Sequence, residues 1–294
     1  MLQLAAPAGV GLRSRLESAG FEFRSVPHAA FSARAADVVA TLYRSGKLVI
    51  QGHDPDAFAA RFLEGRAAAA AVASAAARPA PQRATEETVG SDESGKGDYF
   101  GPLVVASVRL DPQTASQLDA REVRDCKTMS DESVLRVAGA LRRTVPFAVA
   151  RLDPPEYNAR HARLRNLNPL LAELHAQAIG QIARPGLRVV VDQFANERVL
   201  AAAVAKLGVR LEQRHRAESS EVAVAAASVI AREEFLRALA ELSERWGVDL
   251  AKGAGPPTDR AARRFVALHG EARLGDVAKL HFRTTAKILG GGSR

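Results

Sequence analysis

Residues 90–102 read Gly90-Ser-Asp-Glu-Ser-Gly-Lys-Gly-Asp-Tyr-Phe-Gly-Pro102. They begin inside one predicted strand, Val89–Asp92, and end before a second, Leu103–Leu110. Two strands joined by so short a stretch predict an antiparallel hairpin, with the glycines supplying its turn. Asp92 and Glu93 stand side by side where the first strand gives way to the glycines. Neighbouring side chains on a regular strand point to opposite faces, so both acids reach one site only if the strand bends or ends there. Gly95 and Gly97 give that freedom, and they also let backbone amides approach a phosphate or ribose closely. A bare Asp-Glu pair reads more readily as a solvated acidic turn. The glycine framework is what favours a site.

Working outward, Phe147–Arg151 and Leu187–Asp192 read as further strands. Leu167–Ile182, Ser219–Leu239 and Asp259–His269 read as helices. A hairpin followed by alternating helices and strands predicts an α/β layered domain on a mixed sheet. The apolar run Leu187-Arg-Val-Val-Val-Asp192 ends in a carboxylate, which places Asp192 at the carboxyl edge of that sheet, where α/β sites lie. Capping the following helix is an equal reading of Asp192. Glu218 stands at the start of the alanine-rich helix, whose small side chains allow close packing on a sheet. An acid there is also favoured by the helix dipole alone.

Toward the N-terminus the composition breaks at residues 67–83, AAAAAVASAAARPAPQR, which read as a linker. The expected division is a small domain at 1–66, a linker at 67–84 and a larger domain at 85–294. The small domain has a helical pattern at Gly9–Ala19 and strand patterns at Phe21–Phe31, Asp37–Leu42 and Lys47–Gln51, with a turn at Ser45-Gly46. Pro55–Leu63 reads as a helix capped by Asp54. Ten basic residues up to Arg83 face six acids, so half of the net charge of +8 sits in this smaller part. Such charge attracts polyanions, nucleic acid first among them, although a basic surface can also bind nothing. Tyr43, Arg44, Lys47 and Gln51 lie in and around the hairpin, on a face that could lie along a duplex or simply be solvated.

Cys126 is the only cysteine, which excludes an intrachain disulfide and a cysteine-rich zinc site. A catalytic metal would be held by oxygen, favouring magnesium or manganese. No apolar run is long enough to span a membrane, and Met1–Val10 lacks the basic start of a signal peptide, so a cytoplasmic protein is expected.

Taken together, these segments resemble the ribonuclease HII/HIII family, most closely its type-three members, over nearly the whole chain. Gly90–Val105 resembles the family's Asp-Glu and glycine-turn motif, Val189–Asp192 its third-acid strand, and Ala217–Arg232 the type-three segment with glutamate as the fourth acid. Asn166–Ile179, Asp125-Cys-Lys127 and Ala278-Lys-Leu-His-Phe282 also look like family segments, with Cys126 where serine is usual. Thr41–Gly52 resembles the signature of the type-three N-terminal extension, which is similar to half of the TATA-box-binding protein fold.

The resemblance implies a ribonuclease H-like mixed sheet with flanking helices, plus a small α+β N-terminal domain that binds substrate. It implies an endoribonuclease that hydrolyses the RNA strand of RNA–DNA hybrids, leaving 5′-phosphate and 3′-hydroxyl ends. Asp92, Glu93, Asp192 and Glu218 would converge on two Mg2+ or Mn2+ ions, about 4 Å apart in such sites, with Asp92 bridging them. Gly95, Lys96 and Gly97 would touch the RNA backbone and its 2′-hydroxyls. The partner implied is the hybrid duplex, with no obligatory protein partner evident. Three rivals remain: a type-two enzyme acting at single ribonucleotides, a non-catalytic binder on the same fold, and a nuclease acting on DNA alone. Type-two enzymes use a tyrosine near the C-terminal end to recognise a lone ribonucleotide. The corresponding stretch here, Asp249–Thr258, has none.

Overall fold

The computed structural model describes residues 2–3, 6–26, 29–35, 38–52, 58, 61–63, 85–118, 123, 129–193, 197–215 and 217–290. It divides into two units, Met1–Pro79 and Ala80–Arg294. The stretches expected to form a linker at 67–84, a loop at Asp125–Lys127 and most of a helix at Pro55–Leu63 lie outside the described residues.

In the first unit, helix α1 (Ala6–Ser18) precedes four strands: β2 (Glu22–Arg24), β3 (Ala29–Arg34), β4 (Val38–Tyr43) and β5 (Lys47–Gly52). With the short β1 (Leu2–Gln3) they form an antiparallel sheet in the order β1-β5-β4-β3-β2. Leu12 and Leu16 of the helix bury against Phe31, Ala33, Ala40, Leu42 and Leu48. The run Phe21–Phe31, expected as one strand, is two. The Ala29 amide donates to the Val26 carbonyl, and β3 folds back antiparallel on β2. The Ser45-Gly46 turn forms as expected, with Gly46 at φ +81° and its amide donating to Tyr43.

The second unit is built on a mixed sheet in the order β10-β9-β6-β7-β8. Its strands are β6 (Thr88–Ser94), β7 (Leu103–Leu110), β8 (Phe147–Leu152), β9 (Arg188–Asp192) and β10 (Arg210–Arg214). The first three form an antiparallel meander, and β9 and β10 run parallel to β6. Among the described residues it carries helices α2 (Pro112–Gln117), α3 (Asp131–Thr144), α4 (Pro154–Leu164), α5 (Leu167–Ile182), α6 (Glu197–Val204), α7 (Val222–Trp246), α8 (Pro256–His269) and α9 (Arg283–Leu289).

Strand alternation sorts the two faces. Val104, Ala106 and Val108 of β7 point to the α7 side, where Ala223–Ala227, Val229 and Ile230 are buried. Leu103 and Val105 point to the other, against Leu170, Leu171 and Leu174 of α5. Gly90 explains the alanines of α7. A Cβ there would lie 2.1 Å from the Ala223 carbonyl carbon and 2.2 Å from the Val224 amide. The helix backbone thus rests directly on the strand backbone, and small residues on both sides permit it.

The alanine-rich helix starts three residues later than expected and runs seven further, from Val222 to Trp246 rather than Ser219 to Leu239. Glu218 therefore lies not in its first turn but in a separate 3-10 turn, Ala217–Ser219, because the amides of Ser220 and Glu221 both turn back to the Ala217 carbonyl.

Candidate active site

Parallel pairing between β6 and β9 ends at Ser91 opposite Val191. The next residue on each strand is an aspartate, so Asp92 and Asp192 stand level at the sheet's carboxyl edge. Both follow the parity of Gly90 and Val190, whose side faces α7. Asp92 is buried, accepts the Glu93 amide at 2.8 Å and bonds the Ser228 hydroxyl of α7. Asp192 Oδ1 accepts the Ala217 amide at 3.0 Å. That bond docks the 3-10 turn carrying the buried Glu218 onto the end of β9.

The far side of the same turn is held by charge. Glu221 takes bonds from Arg188 at 2.8 and 3.2 Å and from Arg214 at 2.9 Å, and both arginines also grip Glu212. Glu218 thus sits between a backbone anchor on Asp192 and an ion-pair cluster on β9 and β10. Nothing in the local sequence announces that cluster, since Arg188 lies 24 and 33 residues from the two glutamates it binds.

Glu93 differs from the other three. The sheet neither bends nor ends at Asp92-Glu93, as the sequence reading required for a shared site. Pairing with β7 continues through Ser94, with Glu93 opposite Val105. Alternation therefore sends Glu93 to the α5 face, where its Oε2 lies 3.4 Å from His175 Nε2 and its Oε1 lies 3.4 Å from Lys96 Nζ. Among the described residues, no three His, Cys, Asp or Glu side chains gather around one point. The facial split holds Glu93 apart from the other three acids. Rotation about the side-chain bonds of Glu93 and Glu218 is what would bring all four acids together.

His175 is a residue that the sequence reading missed. It is fully buried, and its Nδ1 lies 2.8 Å from Ser91 Oγ. Ser91 donates its single proton to the Ala106 carbonyl at 3.0 Å and accepts one from Ser107 at 2.9 Å. The imidazole must therefore donate through Nδ1, which fixes the ring with Nε2 toward Glu93. Its signal, a lone histidine on an apolar helix face, is shared by many ordinary core residues.

The electrostatics suit a cation. Burial, then the neighbouring Glu93 and Asp192 charges, push the Asp92 carboxyl up to about 8 against the bonds from the Glu93 amide and Ser228. Burial also works against the Glu93 carboxylate, yet His175 and Lys96 hold it below its ordinary value. The donor set is all oxygen, which fits a hard divalent ion.

In the glycine turn, Gly95 adopts φ +85°, and a Cβ there would lie 2.2 Å from the Pro102 carbonyl oxygen. Its glycine is a packing requirement. Gly97 is exposed and a Cβ would meet nothing within 4 Å, so its side stays open to a ligand. Tyr99 is buried, with its hydroxyl 3.0 Å from Thr285 Oγ1, and so presents no stacking surface beside the acids. The tyrosine-free stretch Asp249–Thr258 packs against this turn. Gly253 donates to Asp98 Oδ1 at 2.6 Å, and Tyr99 donates to the Gly253 carbonyl at 2.9 Å.

In the first unit, Tyr43, Arg44, Ser45, Lys47 and Val49 line a shallow cleft of about 410 Å3. Gln51 pairs with Val39 through its backbone, and its side chain lies outside the described set.

Comparison with known proteins gives a consistent picture. A family model described as Ribonuclease HII matches residues 89–285, and one described only as a domain of unknown function matches residues 11–74. Ribonuclease HIII of Protochlamydia amoebophila is 38% identical over 279 residues, covering 94% of this chain and 91% of that protein. Ribonuclease HIII of Chlamydia muridarum is 38% identical over 296 residues, covering 98% and 96%. Among solved structures, Bst-RNase HIII in complex with Mn2+ is 34% identical with a TM-score of 0.65, covering 98% of this chain and 97% of that one. RNase H3 of Aquifex aeolicus is 25% identical with a TM-score of 0.55, covering 95% and 98%.

Proposed function

The chain belongs to the ribonuclease HII family, among its ribonuclease HIII members, and from that premise we propose that Asp92, Glu93, Asp192 and Glu218 hold the divalent metal with which it works. It is an endoribonuclease H, acting on RNA–DNA hybrids. The observation that carries the site assignment is the pair of level aspartates at the edge of β6 and β9, with the Glu218 turn docked on one of them.

A pair of Mg2+ or Mn2+ ions held by these acids would supply charge neutralisation at phosphorus and an activated water, giving 5′-phosphate and 3′-hydroxyl ends. The chain's own residues do the rest. Asp92 and Asp192 would hold the metal from the sheet edge, Asp192 also binding the Ala217 amide that docks the Glu218 turn, and His175 sets the direction from which Glu93 would reach it. Lys96 and the open backbone at Gly97 meet the RNA strand, where the 2′-hydroxyl separates RNA from DNA. Tyr43, Arg44, Lys47 and Gln51 of the first unit add contacts to the duplex. No helix among the described residues is long and apolar enough to cross a membrane. The experiment that tests the function is cleavage of a labelled hybrid beside a DNA duplex of the same sequence, with and without EDTA. Cutting of the RNA strand alone, and only with metal, is the expected result.

The raised Asp92 carboxyl predicts a pH signature of metal binding. Its folded value, about 8, exceeds its ordinary 3.8, so its contribution to stability is complete below 3.8 and is lost as pH rises through 8. In EDTA this group should lower the thermal midpoint between pH 5 and 9. Mn2+ should then raise that midpoint most at pH 9, where no proton need be displaced. Mn2+ stabilisation that is equal at pH 5 and pH 9 would contradict the assignment of Asp92 as a ligand.

The basic N-terminal part predicts a second effect. Removing residues 1–83 should weaken hybrid binding and flatten its salt dependence, by a slope of about 0.9 for each duplex phosphate that this part neutralises. Much of the turnover at saturation should survive. Unchanged affinity and salt slope in a folded truncation would leave Tyr43, Arg44, Lys47 and Gln51 without a role.

A further inference from the structure

Lys279 is a fully buried lysine that the cleavage chemistry does not use. It lies in the Ala278–Phe282 segment, which bridges to the glycine turn through Phe100 and Ala278. Its Nζ donates to the carbonyls of Asp98 at 2.8 Å, Phe100 at 3.3 Å and Gly101 at 2.7 Å. Its own amide donates to the Tyr99 carbonyl at 2.8 Å. An ammonium has three N–H donors, and here all three are spent on backbone carbonyls within four consecutive residues. Those carbonyls are drawn inward onto one point, and the chain curls around it between two left-handed glycines, Gly95 and Gly101.

The other ties on this segment reach fewer residues. Asp98 donates to the Gly95 carbonyl and Gly101 to Val277, while Gly253 holds two residues, accepting from the Tyr99 amide and donating to Asp98 Oδ1. Lys279 alone among these anchors binds all four residues 98–101, three through Nζ and Tyr99 through its amide. We propose that Lys279 is the positioning residue of the glycine turn, setting the conformation in which Lys96 and Gly97 meet the RNA strand. This rests on the reading that the turn touches RNA. The lysine acts only through backbone geometry, so its loss should appear in hybrid binding rather than in the chemical step.

Burial presses the Lys279 ammonium down to about 7 and the nearby Asp98 opposes this, so the test is run at pH 6, where the ammonium is charged. The Tyr157 ring and His281 are the other groups facing it. Lys279→Met keeps the aliphatic stem and removes the donors, and Lys279→Gln restores two of them. Lys279→Met should raise KM for a hybrid, and its Kd measured in EDTA, by about tenfold or more with kcat nearly unchanged, and Lys279→Gln should do so less. Hydrogen exchange should quicken at residues 98–101 while Val189–Val191 stay protected. Unchanged KM and Kd in a folded Lys279→Met protein would overturn the proposal. So would failure of both variants to fold, because a residue acting on one turn leaves the rest of the sheet standing. Gly97→Val separates the two readings, since a side chain there meets nothing in the fold. If Gly97→Val leaves KM unchanged, the turn does not touch RNA. If it raises KM while Lys279→Met does not, the positioning role alone fails.

Discussion

Asp192→Asn is expected to abolish hybrid cleavage, lowering kcat by about a thousandfold or more, the scale of the several kcal/mol that a catalytic divalent ion contributes. Hybrid affinity should stay within a few-fold. The substitution is conservative for the fold, because asparagine keeps a side-chain oxygen for the Ala217 amide that docks the Glu218 turn. What it removes is one negative charge at the sheet edge, beside Asp92. Glu212→Gln makes the comparison: it touches Arg188 and Arg214 of the supporting ion-pair cluster but lies outside the ligand set, so its effect should be far smaller. An active Asp192→Asn enzyme, or wild-type cleavage that persists in EDTA, would remove the basis for metal catalysis at this edge.

The second large effect concerns which hybrids are cut. A lone ribonucleotide in DNA offers the turn at Lys96 and Gly97 a single 2′-hydroxyl, whereas a run of ribonucleotides offers several. Type-two enzymes make up the difference with a tyrosine stacked at the junction. Here the equivalent stretch packs beside the glycine turn through Gly253 and carries no tyrosine. Tyr99 cannot substitute, because it is buried against Phe100 and Phe282. Tyr157 is buried as well. A stacked platform is worth about 1–3 kcal/mol per base, so its absence should cost a single ribonucleotide roughly five- to 150-fold in rate relative to a run of four. Two labelled duplexes in Mg2+ provide the measurement. Equal rates, with the single site nicked on its 5′ side, would reject the expectation and point to type-two behaviour.

Much of the catalytic unit is legible in the chain itself, for reasons that can be named. Leu167–Ile182 forms the helix its apolar spacing predicts, and Asp192 ends the strand its β-branched run predicts, because both are buried and their patterns are strong. Arg210–Arg214 shows the opposite case. It reads Arg-Leu-Glu-Gln-Arg and carries no apolar alternation, yet it is the edge strand of the sheet. Its charges are satisfied by Arg188 across the ladder, by Glu221 and by Glu86, partners that only the fold brings near. The acids show the same limit. Asp92 and Glu93 were legible as a pair, but the continuation of β6 to Ser94 splits them between faces, and no local signal reports a ladder partner. His175 joins them only because α5 crosses the sheet at that point.

The most direct test of the central claim is anomalous scattering from crystals of the wild-type protein soaked in Mn2+. The account predicts peaks at the carboxyl edge of β6 and β9, ligated by Asp92 and Asp192, with Glu93 and Glu218 turned toward them. Mn2+ bound elsewhere with this edge empty at saturating metal, in crystals whose dissolved protein still cuts hybrids, would contradict it.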